Sequence, residues 1–183
     1  DAGALTVMSG FHDLNGQSAS GSPYLLDRIL RREWGFRGFV ISDWASVEQL
    51  MFHRLTADRK ASARAAFNAG VDMDMCSDCF IEHIADLVKE GAVTQARLDD
   101  AVTRILMTKL ACGLFERPYA GTGGQPSRAF APEHRAVARR LAGRGMVLLK
   151  NEGGVLPLSK KGISIAVVGP FASQRRVLLG TWS

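Results

Sequence analysis

The chain alternates between short apolar runs and longer stretches in which apolar residues recur at helical spacing. The short runs are typical of strands buried on both faces, and they lie at residues 4–9, 38–44 and 71–75. Spacings of three and four residues predict helices that begin at Pro23 and that cover residues 60–69, 80–89 and 95–111. Because strands and helices alternate with short glycine-containing joints, the pattern predicts βα units around a parallel sheet.

The second part of the chain begins after a change in composition. Residues 116–132 are rich in proline and glycine, which predicts a linker between two domains. Beyond the linker we predict a helix from Glu133 through Leu149 and a buried strand over 163–169. A closed parallel barrel needs eight strands, whereas this pattern supplies three before the linker and one after it. We therefore expect a fragment of a larger fold.

Composition excludes several classes of protein. The 183 residues are 46% hydrophobic and 22% charged, as in a soluble globular chain. No apolar run approaches the roughly 18 residues of a membrane-spanning helix, and three cysteines are too few for a disulfide-rich scaffold. The net charge of +5 comes from cations spread along the chain without interleaved aromatic residues, so we expect no nucleic-acid partner and no membrane partner.

The most informative polar residue follows the second predicted strand. Reactive groups of parallel α/β folds project from the carboxyl ends of strands, and Asp43 lies there, directly before Trp44. A carboxylate beside an indole suits a sugar site, because the ring packs on the sugar face while the carboxylate acts at the anomeric carbon. The alternative is that Asp43 caps the next helix and Trp44 packs in the core.

Two other groups of residues are candidates for chemistry. Asp72 and Asp74 alternate along the third predicted strand and could serve as an acid/base or metal-binding pair. The favoured interpretation is that Asp72 binds nearby backbone N–H groups and that Asp74 faces solvent or the barrel rim. Cys76, Cys79 and His83 have the spacing of an incomplete zinc motif, since zinc requires four ligands. We expect no metal site and no redox function from these residues.

An ordered series of short motifs runs through the whole chain. The motifs are Val7-Met8-Ser9, Leu14-Asn15-Gly16, Glu33-Trp34-Gly35-Phe36, Gly38 to Trp44, Ala69-Gly70-Val71-Asp72-Met73, Gly113-Leu114-Phe115, Val147 to Asn151 and Ile165 to Pro170. This series resembles glycoside hydrolase family 3, in particular its bacterial β-glucosidases and β-xylosidases. The resemblance implies an α/β fold in which a (β/α)8-like barrel is joined by a linker to an α/β sandwich domain.

The resemblance also implies where each domain lies in this sequence. Residues 1–115 would be the C-terminal part of the catalytic barrel, and 116–132 the linker. Residues 133–183 would be the linking helix and the first strand of the sandwich domain. The family's upstream Lys-His motif and its acid/base glutamate would lie outside these 183 residues, so we expect the fragment alone to be inactive.

The resemblance further implies a retaining double-displacement mechanism with Asp43 as the nucleophile. Trp44 matches a residue that lines the sugar site, and Met8 is a further expected substrate-binding residue. Phe11 lies where many members carry a tyrosine, so the hydroxyl that could tune Asp43 is missing. The expected substrate is a β-glucoside or oligosaccharide, and no metal or organic cofactor is implied.

Two further functions compete with catalysis. A truncated product could act as a non-catalytic carbohydrate-binding or interaction fragment, because Trp44 could stack on a sugar without any reaction. A nucleotide- or nucleic-acid-binding protein is favoured only by the net charge and by the turn at Val168-Gly169, which lacks the other glycines of a dinucleotide fingerprint.

Overall fold

The computed structural model describes residues 3–119, 131–174 and 180. It divides into two compact units, Asp1–Thr122 and Gly123–Ser183. The strands of the first unit are β1 (Thr6–Met8), β2 (Asp13–Leu14), β3 (Gln17–Ser18) and β4 (Phe39–Ile41). Most of the predicted linker 116–132 lies outside the described residues.

The central pair of strands, β1 and β4, is parallel, as predicted. The register pairs Thr6 with Phe39 and Met8 with Ile41, and the Ser9 N–H extends the ladder to the Ile41 carbonyl at 2.9 Å. The other two strands form an antiparallel hairpin around the turn Asn15-Gly16. Because β1 and β4 run in the same direction, the residues that follow them lie at one edge of the sheet.

The strand predicted over 71–75 is reduced to a single parallel bridge between Met73 and Ile41. The Met73 N–H donates to the Val40 carbonyl at 3.0 Å, and the Met73 carbonyl accepts from the Ser42 N–H at 2.9 Å. Further along, the Met75 N–H donates to Ser42 Oγ at 2.7 Å. A side-chain hydroxyl takes the place of a backbone carbonyl as the acceptor, so the ladder ends there.

Helices cover the sheet, and their boundaries follow the predicted signals. The helices of the first unit are the π-helix Tyr24–Glu33, α1 (Arg59–Ala69), α2 (Cys79–Lys89) and α3 (Gln95–Ala111), with short 3-10 turns at Ala19–Gly21 and Glu48–Leu50. The Thr94 hydroxyl caps α3 by accepting from the Arg97 N–H at 3.1 Å. Gly70 ends α1 at a φ of 126°, a conformation open to glycine. No helix of the described residues is long and apolar enough to cross a membrane.

The helix predicted after Pro23 has an unexpected winding. The Trp34 N–H donates to the Ile29 carbonyl, five residues earlier, at 3.0 Å. The ten residues Tyr24–Glu33 are a π-helix, a rare form that sequence periodicity does not distinguish from an α-helix. Leu26 and Leu30 are buried on its inner side.

The core of the first unit lies between the sheet and the helices. Phe67 of α1 meets Phe80 of α2 edge to face, with ring centroids 5.1 Å apart. The largest fully buried side chains are aliphatic, and they include Leu50, Val40, Val47, Val71 and Val93. Several serines are buried with them, which is unusual enough to require hydrogen-bond partners.

The second unit contains α4 (Pro132–Gly145), which begins as predicted but ends before Leu149. Gly143 and Gly145 disfavour continued helix, and Met146 already has an extended backbone. The buried strand predicted over 163–169 is not formed. Those residues are exposed and pair with no strand among the described residues of this unit, and a strand is stable only when its backbone groups are paired.

Candidate active site

Asp43 lies two residues beyond β4, at the carboxyl-end edge of the sheet, and is partly buried. Its Oδ1 accepts a hydrogen bond from the Trp44 N–H at 2.7 Å. Its backbone carbonyl accepts from Ser42 Oγ at 2.9 Å and from the Ser46 N–H at 3.1 Å. Local hydrogen bonds therefore hold both the backbone and the carboxylate of Asp43. We call residues 43–46 the Asp43 turn.

The Asp43 turn contains a strained residue. Ala45 has a φ of 53°, a left-handed conformation that costs a non-glycine residue about 1–2 kcal/mol. Its N–H donates to the Met75 carbonyl at 2.7 Å, and this bond offsets part of the strain. The segment after the Met73 bridge therefore fixes the shape of the turn that carries Asp43.

The other three predicted site residues lie on the same edge or on the loop that leaves it. Met8 ends β1 and is in register with Ile41, and Phe11 follows in the next loop. The side chains of Met8, Trp44 and Phe11 are all about half exposed. The structure thus exposes the three apolar side chains that the sequence predicted to bind a pyranose with Asp43.

The alternative interpretation of Asp43 and Trp44 is not met. The next helical turn is the 3-10 segment Glu48–Leu50, which is preceded by Val47 and not by Asp43. Trp44 is 51% exposed, so it is not a core residue. Asp43 therefore does not cap that helical turn, and Trp44 is a surface residue.

A buried chain of hydroxyl groups lies behind this edge, and no motif in the sequence indicated it. The Ser20 Oγ lies 2.8 Å from Ser9 Oγ and 2.8 Å from Ser46 Oγ. All three residues are at most 3% exposed. The partners are 11 and 26 residues apart, which corresponds to no local motif. We call these three residues the serine chain.

A second link joins the same two loops nearer the surface. His53 Nδ1 lies 3.0 Å from Asp13 Oδ1, which connects the hairpin after β1 to the segment after β4. Neither residue was a candidate from the sequence, because neither belongs to a local cluster of polar residues. The segment after β1 and the segment after β4 are therefore connected twice, by the serine chain and by the pair of Asp13 and His53.

Asp72 has a structural role, as the sequence favoured. Its Oδ2 accepts from Arg31 at 2.6 Å and from the Val40 N–H at 2.9 Å, and its Oδ1 lies 2.9 Å from Arg97 and 3.0 Å from Arg104. Burial lowers the pKa of the Arg31 and Arg97 guanidiniums, although the Asp72 charge opposes that effect. The three arginines were not anticipated, because they come from distant parts of the sequence.

Asp74 is partly buried and forms hydrogen bonds at the start of α2, instead of simply facing solvent or the barrel rim as predicted. Its carboxylate accepts from Ser77 Oγ at 2.6 Å and from the Phe80 N–H at 3.3 Å. This is the bonding of a residue that satisfies free N–H groups at a helix start. Asp72 and Asp74 consequently have separate partners, and their bonding is not that of an acid/base or metal-binding pair.

The cysteines give no zinc site. Cys76 is exposed, whereas Cys79 is fully buried and its pKa is raised by that burial. His83 lies 3.6 Å from Glu82 instead of completing a ligand set. Within the part of the chain that the structure describes, no group of three or more metal-ligating side chains occurs.

Comparison with known proteins places the chain in a family. Residues 1–108 match the glycosyl hydrolase family 3 N terminal domain, and residues 146–183 match the glycosyl hydrolase family 3 C-terminal domain. A periplasmic beta-glucosidase of Salmonella typhimurium is 42% identical over 188 residues, which cover 100% of this chain and 24% of that protein. A beta-xylosidase/alpha-L-arabinofuranosidase of Medicago sativa is 34% identical, with 100% of this chain and 24% of the relative covered.

Solved structures agree with the sequence comparison. The crystal structure of a beta-glucosidase from Listeria innocua in complex with gluconolactone has a TM-score of 0.71 and 36% identity. The match covers 87% of this chain and 22% of that one, so the chain spans less than a quarter of the length of these relatives. The fold is the α/β fold of a TIM-like barrel, in agreement with the parallel β1–β4 pair and its covering helices. The chain belongs to glycosyl hydrolase family 3.

Proposed function

We propose that this chain supplies the nucleophile of a retaining β-glycosidase, that Asp43 is this nucleophile, and that terminal non-reducing β-D-glucosyl residues are the substrate. One observation carries the proposal. The carboxylate of Asp43 lies at the carboxyl-end edge of the sheet and is oriented by the Trp44 N–H at 2.7 Å. In barrel folds of this kind, groups at that edge carry the chemistry.

The reaction follows from the chemistry of a carboxylate at an anomeric carbon. Because Oδ1 is held by the Trp44 N–H, we assign the attack to Oδ2. A bond forms between Oδ2 and the anomeric carbon as the bond to the leaving oxygen breaks, and that oxygen takes a proton from a general acid. Water then attacks the same carbon and gives a proton to the group that acted as the general acid, and the bond to the Asp43 carboxylate breaks. The anomeric configuration is retained.

The substrate class is supported by the site surface and by the names of the relatives. The exposed rings of Trp44 and Phe11 and the thioether of Met8 offer apolar contact to one face of a sugar. The Salmonella and Listeria relatives are beta-glucosidases, and the Medicago relative is a beta-xylosidase/alpha-L-arabinofuranosidase. A glucoside is therefore the first substrate to test, with a xyloside as the comparison.

The test is covalent trapping in the product of the full reading frame that encodes these residues. A dinitrophenyl β-glucoside with fluorine at carbon two forms a long-lived glycosyl-enzyme, and mass spectrometry locates the modified residue. We expect the label on Asp43, and we expect Asp43→Asn to lower nitrophenyl glucoside hydrolysis by about 10⁴-fold or more. Asp58→Asn is the matched control, because Asp58 caps α1 and asparagine caps a helix equally well.

Two outcomes would oppose the proposal. A label on another carboxylate, or full activity of Asp43→Asn, would remove Asp43 from the reaction. The non-catalytic carbohydrate-binding function would be favoured by a different result. In that case the protein binds glucose saturably, Trp44→Ala weakens this binding, and no residue is labelled.

A further inference from the structure

The serine chain connects three segments that lie far apart in the sequence. Ser9 directly follows β1, Ser20 lies in the 3-10 turn Ala19–Gly21, and Ser46 closes the Asp43 turn. The central hydroxyl, on Ser20, lies 2.8 Å from each of its neighbours. A hydroxyl carries one proton and two lone pairs, so Ser20 donates to at most one neighbour and accepts from at least one.

The ends of the chain continue into the backbone beside the nucleophile. The Ser46 N–H donates to the Asp43 carbonyl at 3.1 Å, and the Ser9 N–H donates to the Ile41 carbonyl at 2.9 Å. Ser20 is therefore two hydrogen bonds away from the backbone of Asp43. The same path ends on β4, the strand from which the Asp43 turn departs.

Because the three hydroxyl groups are buried, their hydrogen bonds hold the three segments in fixed relative positions. Ser20 is 0% exposed, and Ser46 and Ser9 are 2% and 3% exposed. Water does not reach the hydroxyls, so a displaced hydroxyl would lose its partner without compensation. Linked hydroxyl groups also polarise one another, which favours one arrangement of the three segments.

We infer that Ser20 is a positioning residue for Asp43: its hydroxyl, bonded to Ser9 and Ser46, fixes the Asp43 turn relative to the end of β1. This inference rests on the proposed role of Asp43 as the nucleophile. Ser20 does not touch the substrate, and it acts by holding the distance between the β1 edge and the carboxylate. Such distances control rate, because a small misplacement of a reacting group slows the chemical step.

The test compares Ser20→Ala with Ser62→Ala in the product of the full reading frame. Ser62 is also 0% exposed, and its hydroxyl lies 2.6 Å from that of the partly buried Thr56, so the control loses a buried hydroxyl and one hydrogen bond outside the Asp43 turn. We expect Ser20→Ala to lower kcat and the fluoroglucoside labelling rate by about tenfold, with KM changed less than about twofold. Ser62→Ala should change kcat by less than about twofold.

If Ser20 contributed only to stability, Ser20→Ala and Ser62→Ala would have similar kcat values. Both variants should lower the thermal midpoint by a similar amount, about 2–8 °C, because each removes one buried hydroxyl from a bonded set. If Ser20→Ala does not fold, Ser9→Ala replaces it in the test. Ser9→Ala removes only the bond between Ser9 and Ser20, so we expect it to lower kcat in the same direction but by a smaller factor.

The failures of the two proposals are distinguishable. If Asp43→Asn abolishes labelling but Ser20→Ala keeps the kcat of Ser62→Ala, the positioning role is wrong and the nucleophile stands. If labelling survives Asp43→Asn, the nucleophile is wrong and the positioning role falls with it.

Discussion

Replacing the buried carboxylate of Asp72 should destabilise the first unit far more than replacing an exposed one. The Asp72 side chain is 0% exposed, and those of its partners Arg31, Arg97 and Arg104 are 12%, 16% and 23% exposed. Asp72→Asn conserves volume and removes the negative charge that all three guanidiniums share. It also turns an amide N–H₂ towards other donors. Removing one member of a buried ion pair costs about 3–5 kcal/mol.

The matched control is Asp100→Asn. Asp100 also pairs with Arg104, at 3.2 Å, but its side chain is 64% exposed. Water screens such a pair, so its loss should lower the free energy of unfolding by less than about 1 kcal/mol. The two variants make the same chemical change and share one arginine, and they differ chiefly in burial.

Urea unfolding followed by tryptophan fluorescence measures the difference, since Trp34 and Trp44 both lie in the first unit. We expect the midpoint of Asp72→Asn to fall well below that of Asp100→Asn, or Asp72→Asn to be unfolded without urea. Equal midpoints would refute the reasoning, because they would mean that the buried arginines need no counter-charge. A total stability of about 5–15 kcal/mol makes the expected loss easy to detect.

Two smaller effects follow from local geometry. Ala45→Gly should raise the free energy of unfolding by about 0.5–1 kcal/mol, because glycine adopts the left-handed conformation without strain. As a control, Ala85→Gly in the middle of α2 should lower the free energy of unfolding by about 1 kcal/mol. Chemical denaturation compares the two, and a loss of stability in both variants would contradict the strain at residue 45. Ellman's reagent should modify Cys76 and Cys112 rapidly and Cys79 only in urea, because Cys79 is buried and burial raises its pKa. Rapid reaction of all three thiols would show that Cys79 is accessible.

Sequence pattern was most informative where local rules decide the structure. The bounds of α3, Gln95–Ala111, agree with the prediction because its cap, its apolar stripe and its terminal glycine all act within a few residues. The parallel pairing of β1 and β4 was also predictable from alternating strands and helices. Asp43 could be singled out because the carboxyl end of a buried strand is a recognisable position.

The rest depended on contacts between distant residues. The strand at 163–169 looked buried from its composition, but it lacks a pairing strand among the described residues, and a sequence does not display its neighbour. The serine chain joins residues 11 and 26 positions apart, and serine is too common for such a pair to be noticed. The π-helix Tyr24–Glu33 has the same apolar spacing as an α-helix over its short length.

The contacts of Asp72 with Arg31, Arg97 and Arg104 also have a consequence for the order in which the first unit folds. Asp72 and Arg31 are 41 residues apart, and Val40 and Arg104 are each 32 residues from Asp72. Long loops must close before these groups meet, and the entropy of closure is lost before any ion pair forms. The π-helix, β4 and α3 must therefore be assembled before the carboxylate is enclosed. Interactions that form after the transition state slow unfolding more than they speed folding, so we expect the loss of these ion pairs to raise the unfolding rate more than it lowers the folding rate.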